Sequence, residues 1–493
     1  MKHEKLLEAL NQISDKHIAE ASKQPKRHIF RWAAPVAAVL VIAVLIGALA
    51  WPFTAPTAPE TPGAADSQHL ICAPVYPKMS PYPDESTLYG DYSEEKYQIF
   101  DLAYEAWKAD RTAQYDQPKG YADGTEDFFA HTMQQLLTEG QQNKVCSPVN
   151  IYMALAMLAE TTSGNSRQQV LDALGTDSIE SLRTQAGHVW NAHYCSDNAT
   201  FLTLANSLWL DGDLTYNEKT ARVLSDSYYA SVYRGDLGSE EMNKALQNWL
   251  DEQTGGLLTE QVKNIEMDPT TVLALASAIY YRCKWNTEFW EGANTEGQFH
   301  SPTGDQTVTF MNMGLPYHNY YWGDKFAAIA FSLEDGGKMW LILPDEGYTP
   351  EELPADPQVL ELLQGDSYEN VKGDMIVNLS LPKFDICSDV QLNDSLRALG
   401  ITDVFGPMAD FSAILPPQPD TPGMTPYLSE ATHAARVAID EEGITAAAYT
   451  VMLECGAAGP PEEEIDFVLD RPFLFVVESR DGLPLFAGTV NEP

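Results

Sequence analysis

The chain has 493 residues, 44% hydrophobic and 10% aromatic, which is enough for a substantial core and excludes global disorder. Acidic residues outnumber basic ones 71 to 30, a formal net charge of -41, which excludes a nucleic-acid partner because phosphate neutralisation needs Lys/Arg patches. The six cysteines, at 72, 146, 195, 283, 387 and 455, form no CxxC pair; zinc ligation and thioredoxin-type chemistry lack their close pairs, and free thiols are the expected state.

At the N-terminus, Leu6, Leu7, Leu10 and Ile13 recur at helical spacing and predict a short amphipathic helix. An uncharged run follows between Trp32 and Trp51, long enough to span a bilayer. Lys23, Lys26, Arg27 and Arg31 precede it, so the positive-inside rule predicts a cytoplasmic segment 1–32, a transmembrane helix 33–50 and an extracellular remainder. The alternative is a signal peptide cut after Ala48-Leu49-Ala50 and a secreted protein; the long charged lead and the Trp51-Pro52 that would follow the cut favour the anchor. A single N-terminal anchor without cysteine pairing points to a bacterial envelope.

Prolines recur through residues 51–93, which suits an extended stalk. Residues 94–124 form an extra helical segment, amphipathic from Glu94 to Ala109 with Tyr97, Phe100, Leu102, Tyr104 and Trp107. The main domain is expected over 125–493. It opens with a helix from Thr125 to Glu139 and a second after Ser147-Pro148, stopping near Gly164-Asn165.

Strand-like runs follow at Phe201 to Leu210, Thr271 to Tyr281, Ala327 to Leu333, Met339 to Leu343, Met375 to Leu381, Phe473 to Val477 and Leu485 to Val490. Helical patterns interleave at Met242 to Thr254 and Val390 to Leu399. Without strict strand-helix alternation or an internal repeat, the class is α+β.

Catalytic motifs are missing: no GxSxG, HExxH, P-loop or GxGxxG occurs. The reading is therefore of a protein that is not an enzyme, with no catalytic residue, no metal site and no cofactor. Ser147, followed by proline at a helix start, reads as a cap rather than a nucleophile. Asp211-Gly212-Asp213 lacks the later ligands of a calcium loop and reads as a turn. Near the C-terminus, Glu441 to Leu453 carries two acids and a glycine and then small or β-branched residues. The stretch from Cys455 to Pro461 is rich in Gly, Ala and Pro, as an exposed, protease-accessible segment would be.

Taken together, residues 125–493 resemble the serpin family from end to end. The resemblance is carried by Ser147-Pro148-Val149-Asn150-Ile151 through Gly164-Asn165-Ser166, by Ala205-Asn206-Ser207-Leu208-Trp209, and by Trp249, Thr254 and Gly256. It continues in Ser277-Ala278-Ile279-Tyr280-Tyr281-Arg282-Cys283-Lys284-Trp285, Leu381-Pro382-Lys383-Phe384 and Ala409-Asp410-Phe411-Ser412. Asp440-Glu441-Glu442-Gly443, Arg471-Pro472-Phe473-Leu474-Phe475 and Pro484-Leu485-Phe486-Ala487-Gly488 close it.

The resemblance implies three β-sheets with about nine helices and a reactive-centre loop over residues 441–461. In this family the loop is bait: a protease cuts it, is held as an acyl-enzyme, and the cut loop inserts into the central sheet. The implied partner is a serine protease, with a cysteine protease as an alternative target. Counting the family's distance from Gly443 places the reactive bond at Ala457-Ala458; those small residues suit an elastase- or subtilisin-like enzyme.

The hinge residues Glu441, Glu442, Gly443, Ile444, Thr445, Ala446, Ala447 and Ala448 suit insertion. An inserted strand would turn Ile444, Ala446, Ala448 and Thr450 to one face and bulky Tyr449 to the other. Glu454, on the inward face, fits least well. Trp285 is expected where the loop enters.

Relative to the family pattern, Asn150 and Ser277 look reciprocally exchanged. The expectation is a hydrogen-bonded cluster of Ser147, Asn150, Ser277 and His433 beneath the sheet, where the sheet must part. The alternative function is a non-inhibitory binding module of the same fold at the cell surface.

Overall fold

A computed structural model describes residues 36–45, 68–83, 88, 93–256, 259–263, 265–365, 368–418, 423, 425–444 and 463–493. The elements run β1 (Val36–Leu45), β2 (Leu70–Cys72), α1 (Glu94–Tyr115), α2 (Glu126–Leu137), β3 (Lys144–Cys146), α3 (Pro148–Thr161), α4 (Gly164–Ala173), α5 (Ile179–His193), β4 (Cys195–Ser196) and β5 (Phe201–Asp211). Then come α6 (Glu218–Ser227), β6 (Ala230–Gly235), α7 (Glu240–Gln253), α8 (Thr259–Val262), β7 (Thr271–Lys284), β8 (Thr295–Ser301), β9 (Gly304–Trp322), β10 (Phe326–Ser332) and β11 (Lys338–Pro344). The remainder is α9 (Pro357–Leu363), β12 (Val371–Pro382), β13 (Phe384–Gln391), α10 (Asn393–Ala398), β14 (Pro426–Ile439), β15 (Gly443–Ile444), β16 (Glu464–Val468), β17 (Phe473–Glu478) and β18 (Pro484–Val490).

The strands join two hydrogen-bonded networks. In the first, β13 flanks β14, β7 pairs β5, β5 pairs β6, and β6 pairs β2; β1 and β15 both lie in the gap between β14 and β7. The second runs β16-β12-β9-β10-β11-β17-β18-β3, with β8 beside β9. Strand β9 joins its two parts, pairing β8 and β12 along most of its length and β10 only at Tyr321 and Trp322. The class is α+β, and the second and third sheets of the expected three meet at that end of β9.

Helix α3 lies between the networks, against β7 and β18, and is buried along its whole length. It starts because Ser147 Oγ accepts the Asn150 N–H at 3.2 Å and Pro148 needs no donor at the first turn. All its faces meet protein, so it is apolar all round rather than striped. On the far side α7 packs Leu246 and Trp249 against Ala274, Ala276 and Ala278 of β7, so β7 is covered on both faces.

Helix α1 extends past the expected Ala109 to Tyr115. It docks through Trp107 Nε1 and Arg111, both donating to buried Asp197, and through Gln114 donating to the Asn191 carbonyl. Helix α3 stops at Thr161, near the expected Gly164-Asn165, and that pair opens α4; Gly164 takes φ 55°, a left-handed angle that separates α3 from α4. Val390, expected in a helix, belongs to β13, and only Asn393–Ala398 is helical.

The largest departure concerns the predicted membrane helix 33–50. Val36–Leu45 is a strand, parallel to both neighbours, with Ala37–Leu45 beside Thr271–Tyr280 and Val36–Leu45 beside Pro426–Arg436. Its sequence, VAAVLVIAVL, is dominated by Val, Ile and Leu, and an apolar run of this length can read as strand or helix with periodicity silent between them. Among the described residues no helix is long and apolar enough to cross a membrane. The segment 1–32 and most of the stalk lie outside the described residues.

One buried acid sets a pH dependence. Desolvation pushes Glu478 at the end of β17 up to about 7 from 4.5, in spite of Lys338 at 3.2 Å. A raised carboxyl contributes stability that is fully present below its unfolded value and lost as pH rises through the folded one, here about 3 kcal/mol between the two limits. Urea midpoints should therefore rise as pH falls from about 8 to about 5. Glu478→Gln should flatten that slope; an unchanged slope contradicts the assignment.

Candidate functional site

The end of β14 turns back at Asp440 into β15, and the turn is fastened from several sides. Asp440 Oδ1 accepts the Glu442 and Gly443 N–H groups at 3.0 and 3.2 Å. Trp285, 1% exposed, donates its indole N–H to the Asp440 carbonyl at 2.8 Å and its backbone N–H to Glu442 O at 3.0 Å. Its ring packs against Phe289 and Phe331, while the Phe289 N–H reaches Glu441 O at 2.8 Å. A Cβ at Gly443 would overlap the Cys283 carbonyl, so only glycine allows this approach to β7. Cys283 is fully buried opposite Ile444, and nothing in the structure explains the cysteine.

The acids here are unequal. Burial raises Glu441, but Lys383 at 2.5 Å and a short hydrogen bond from Asn294 outweigh it and hold the carboxyl below its ordinary value. Asp440 and Glu442 are pushed up, first by desolvation and, for Glu442, also by Asp440. The raised Asp440 and Glu442 favour the seated turn as pH falls, and the lowered Glu441 opposes them.

Ile444 pairs antiparallel with Ile439 of β14 and with Cys283 of β7. Gly443 and Ile444, the third and fourth residues of the expected loop, thus already lie between the strands that insertion would part. Thr445, Ala446, Ala447 and Ala448, the expected reactive bond Ala457-Ala458, Glu454 and Cys455 lie outside the described residues.

Beneath the same gap the structure brings Ser147, Asn150, Ser277 and His433 together, all fully buried. The Ser147 contact to His433 uses the backbone: its N–H donates to His433 Nε2 at 3.0 Å, while its hydroxyl caps α3. Ser277 Oγ lies 2.7 Å from Asn150 Oδ1 and 2.7 Å from Asn206 Oδ1. One hydroxyl carries one proton, so it donates to only one of them. The Asn206 amide donates to Tyr228 O at 2.8 Å and the Asn150 amide donates to Ser277 O at 3.4 Å, so both amide oxygens face the Ser277 hydroxyl.

Asn206, on β5 directly opposite Ser277, is the member that sequence reasoning missed, although it sits in the quoted Ala205-Asn206-Ser207 motif. Strand alternation could have found it, since a polar residue between inward positions needs a partner. Replacing the hydroxyl in Ser277→Ala leaves an amide oxygen without its donor, and equilibrium unfolding should lose about 1–3 kcal/mol. A loss below about 0.5 kcal/mol contradicts the bridge.

The described cysteines 72, 146, 195, 283 and 387 are free thiols. Among the described residues no cluster of His, Cys, Asp and Glu could hold a metal ion.

Residues 123–493 match the family model described as "Serpin (serine protease inhibitor)". Serpin-ZX of Arabidopsis thaliana is 28% identical over 71% of this chain and 92% of its own length. Alpha-1-antiproteinase 2 of Equus caballus is 29% identical over 76% of this chain and 86% of its own. Among solved structures, the thermophilic serpin tengpin in its native state is 26% identical with a TM-score of 0.67, covering 77% of this chain and 95% of that one. Human thyroxine-binding globulin, at 20% identity and a TM-score of 0.64, covers 77% and 99% and shares the fold alone.

Proposed function

The chain belongs to the serpin family, and on that premise we propose that it inhibits proteases by presenting residues 441–461 as bait and drawing the cut loop into the gap between β7 and β14. The family match also corrects the bare description of the protein as not an enzyme: serine protease inhibitor defines it by what it does to one.

The supporting observation is the pairing of Ile444 with both strands. In an antiparallel register each step along the loop is a step back along its neighbours. Six residues beyond Ile444, Thr450 would stand between Ser277, six before Cys283, and His433, six before Ile439. Ser277 points at α3, so Thr450 would too, with Ala446 and Ala448 on the same inward face. Tyr449 would stand opposite Ala278, on the face covered by α7, and would need room beneath that helix. Glu454 would come opposite Leu273, in the main core, and Gly456 opposite Thr271, the first residue of β7. The strand thus fills β7 one residue short of Ala457-Ala458.

That bond suits an elastase- or subtilisin-like serine protease, and the uncharged run 33–50 is proposed as a single-pass anchor holding the domain outside a bacterial envelope. Incubation with pancreatic elastase or subtilisin tests the reading. It expects an SDS-resistant covalent complex and a released C-terminal peptide whose mass places the cut at Ala457-Ala458 or within a few residues of it. Quantitative loop cleavage without a covalent complex under any condition overturns it.

A further inference from the structure

The residues of β7 that the cut loop would line, Thr271 to Tyr280, are the residues that β1 already pairs with. By the register from Ile444, that stretch would receive Gly456 back to Ala447. On the other side β1 runs beside Pro426–Arg436 of β14, and Ile42 is the residue placed between Ser277 and His433, the position Thr450 would take. Two strands cannot hold the same backbone donors and acceptors, so the two occupants exclude each other. They also enter differently: β1 is parallel to β7 and β14, whereas β15 is antiparallel to both.

We propose that Val36–Leu45 is an intramolecular plug of the insertion gap, and that a lipid bilayer is the competing site that removes it. This rests on the inhibitor reading above. The occupant has the chemistry for both places: ten residues without charge or proline, rich in strand formers, inside an uncharged run long enough to span a bilayer. In water the run cannot lie exposed without loss, and the gap offers hydrogen-bond partners along both of its edges. In a bilayer it satisfies its own backbone as a helix and leaves the gap empty. Anchoring would then do more than localise the protein: the membrane-inserted chain is the inhibitor, and the chain released from the membrane is closed against loop insertion and serves its target as an ordinary substrate.

A reducible lock tests this with the full chain. Val44 pairs with Ala435, so Val44→Cys/Ala435→Cys, made with Cys387→Ser to remove the exposed thiol of the adjoining strand, should oxidise to a disulfide in detergent-free buffer. Peptide mapping reads the bond. The oxidised protein should be cut by elastase without forming covalent complex. Dithiothreitol followed by insertion into phosphatidylcholine vesicles should restore complex, with a yield several-fold above that of the reduced chain in buffer. If the pair stays reduced in buffer, the plug is overturned. Equal trapping by the locked and reduced chains overturns the exclusion, and equal trapping with and without vesicles overturns the bilayer as its release. If the reduced, vesicle-inserted chain is cut but never traps protease, the inhibitor reading fails and takes the gating with it, while a disulfide formed in buffer separately establishes occupancy by β1.

Discussion

Thr450→Arg is expected to turn a covalent inhibitor into a plain substrate. In the register set by Ile444, residue 450 enters between Ser277 and His433 on the face toward α3. That site is sealed: Ser277, His433 and Asn150 are all fully buried. A guanidinium forced beside Ser277, Asn150 and His433, none of them an acid, costs about 3–5 kcal/mol or more, against a threonine that is small, β-branched and able to hydrogen-bond. Loop entry should stall before the protease is carried across the domain. SDS gels of the elastase reaction should show the covalent band lost and the cut chain accumulating, with the cleavage rate unaltered. Thermal unfolding of the uncut variant should match the parent within about 0.5 kcal/mol, because the change acts on the inserted state. A covalent yield equal to the parent's contradicts the register.

Trp285→Ala should be the most damaging single change in the hinge. The ring is buried against Phe289 and Phe331, and its N–H holds the Asp440 carbonyl where β14 turns into β15. Loss of the packed indole predicts about 3–5 kcal/mol of destabilisation. Trp285→Phe keeps most of the packing and forfeits the hydrogen bond alone, about 1 kcal/mol. Hydrogen exchange adds a readout that simple core loss would not move: amides of Glu442 and Gly443, held by Asp440, should exchange faster in both variants while those of β17 stay slow in the phenylalanine variant. Unchanged exchange at the turn in Trp285→Ala contradicts its role as the fastening.

Most buried strands were legible because their residues are strand formers in unbroken runs: Thr271–Lys284 and Phe473–Glu478 differ from expectation only at their ends. Strand β14 was not legible. Its core, Ser429-Glu430-Ala431-Thr432-His433-Ala434-Ala435-Arg436, is rich in residues that favour helix, and it is a strand because β13 and the gap neighbours pair it on both sides. Val390 failed for a related reason: a leucine-spaced pattern ran on from a strand into a short helix, and periodicity marks no boundary there.

Side chains announce the contact of Ser277 with Asn150, whereas the link of Ser147 to His433 is a backbone N–H that no residue type announces. Asn206 escaped because its partner lies across the sheet, a relation set by strand register. The membrane helix and β1 describe the same uncharged run, and composition alone offers no means of choosing between a bilayer and a sheet that lacks a strand.

The central claim is that the cut loop becomes a strand between β7 and β14, and hydrogen-exchange mass spectrometry of the loop-cleaved chain in phosphatidylcholine vesicles tests it most directly. The account predicts that amides of residues 447–456, read in the uncut and cut chain, become as slow after cleavage as those of β7, with the peptide around Thr450 among the slowest. Cleavage at the loop that leaves 447–456 exchanging at the rate of an unstructured peptide would contradict it.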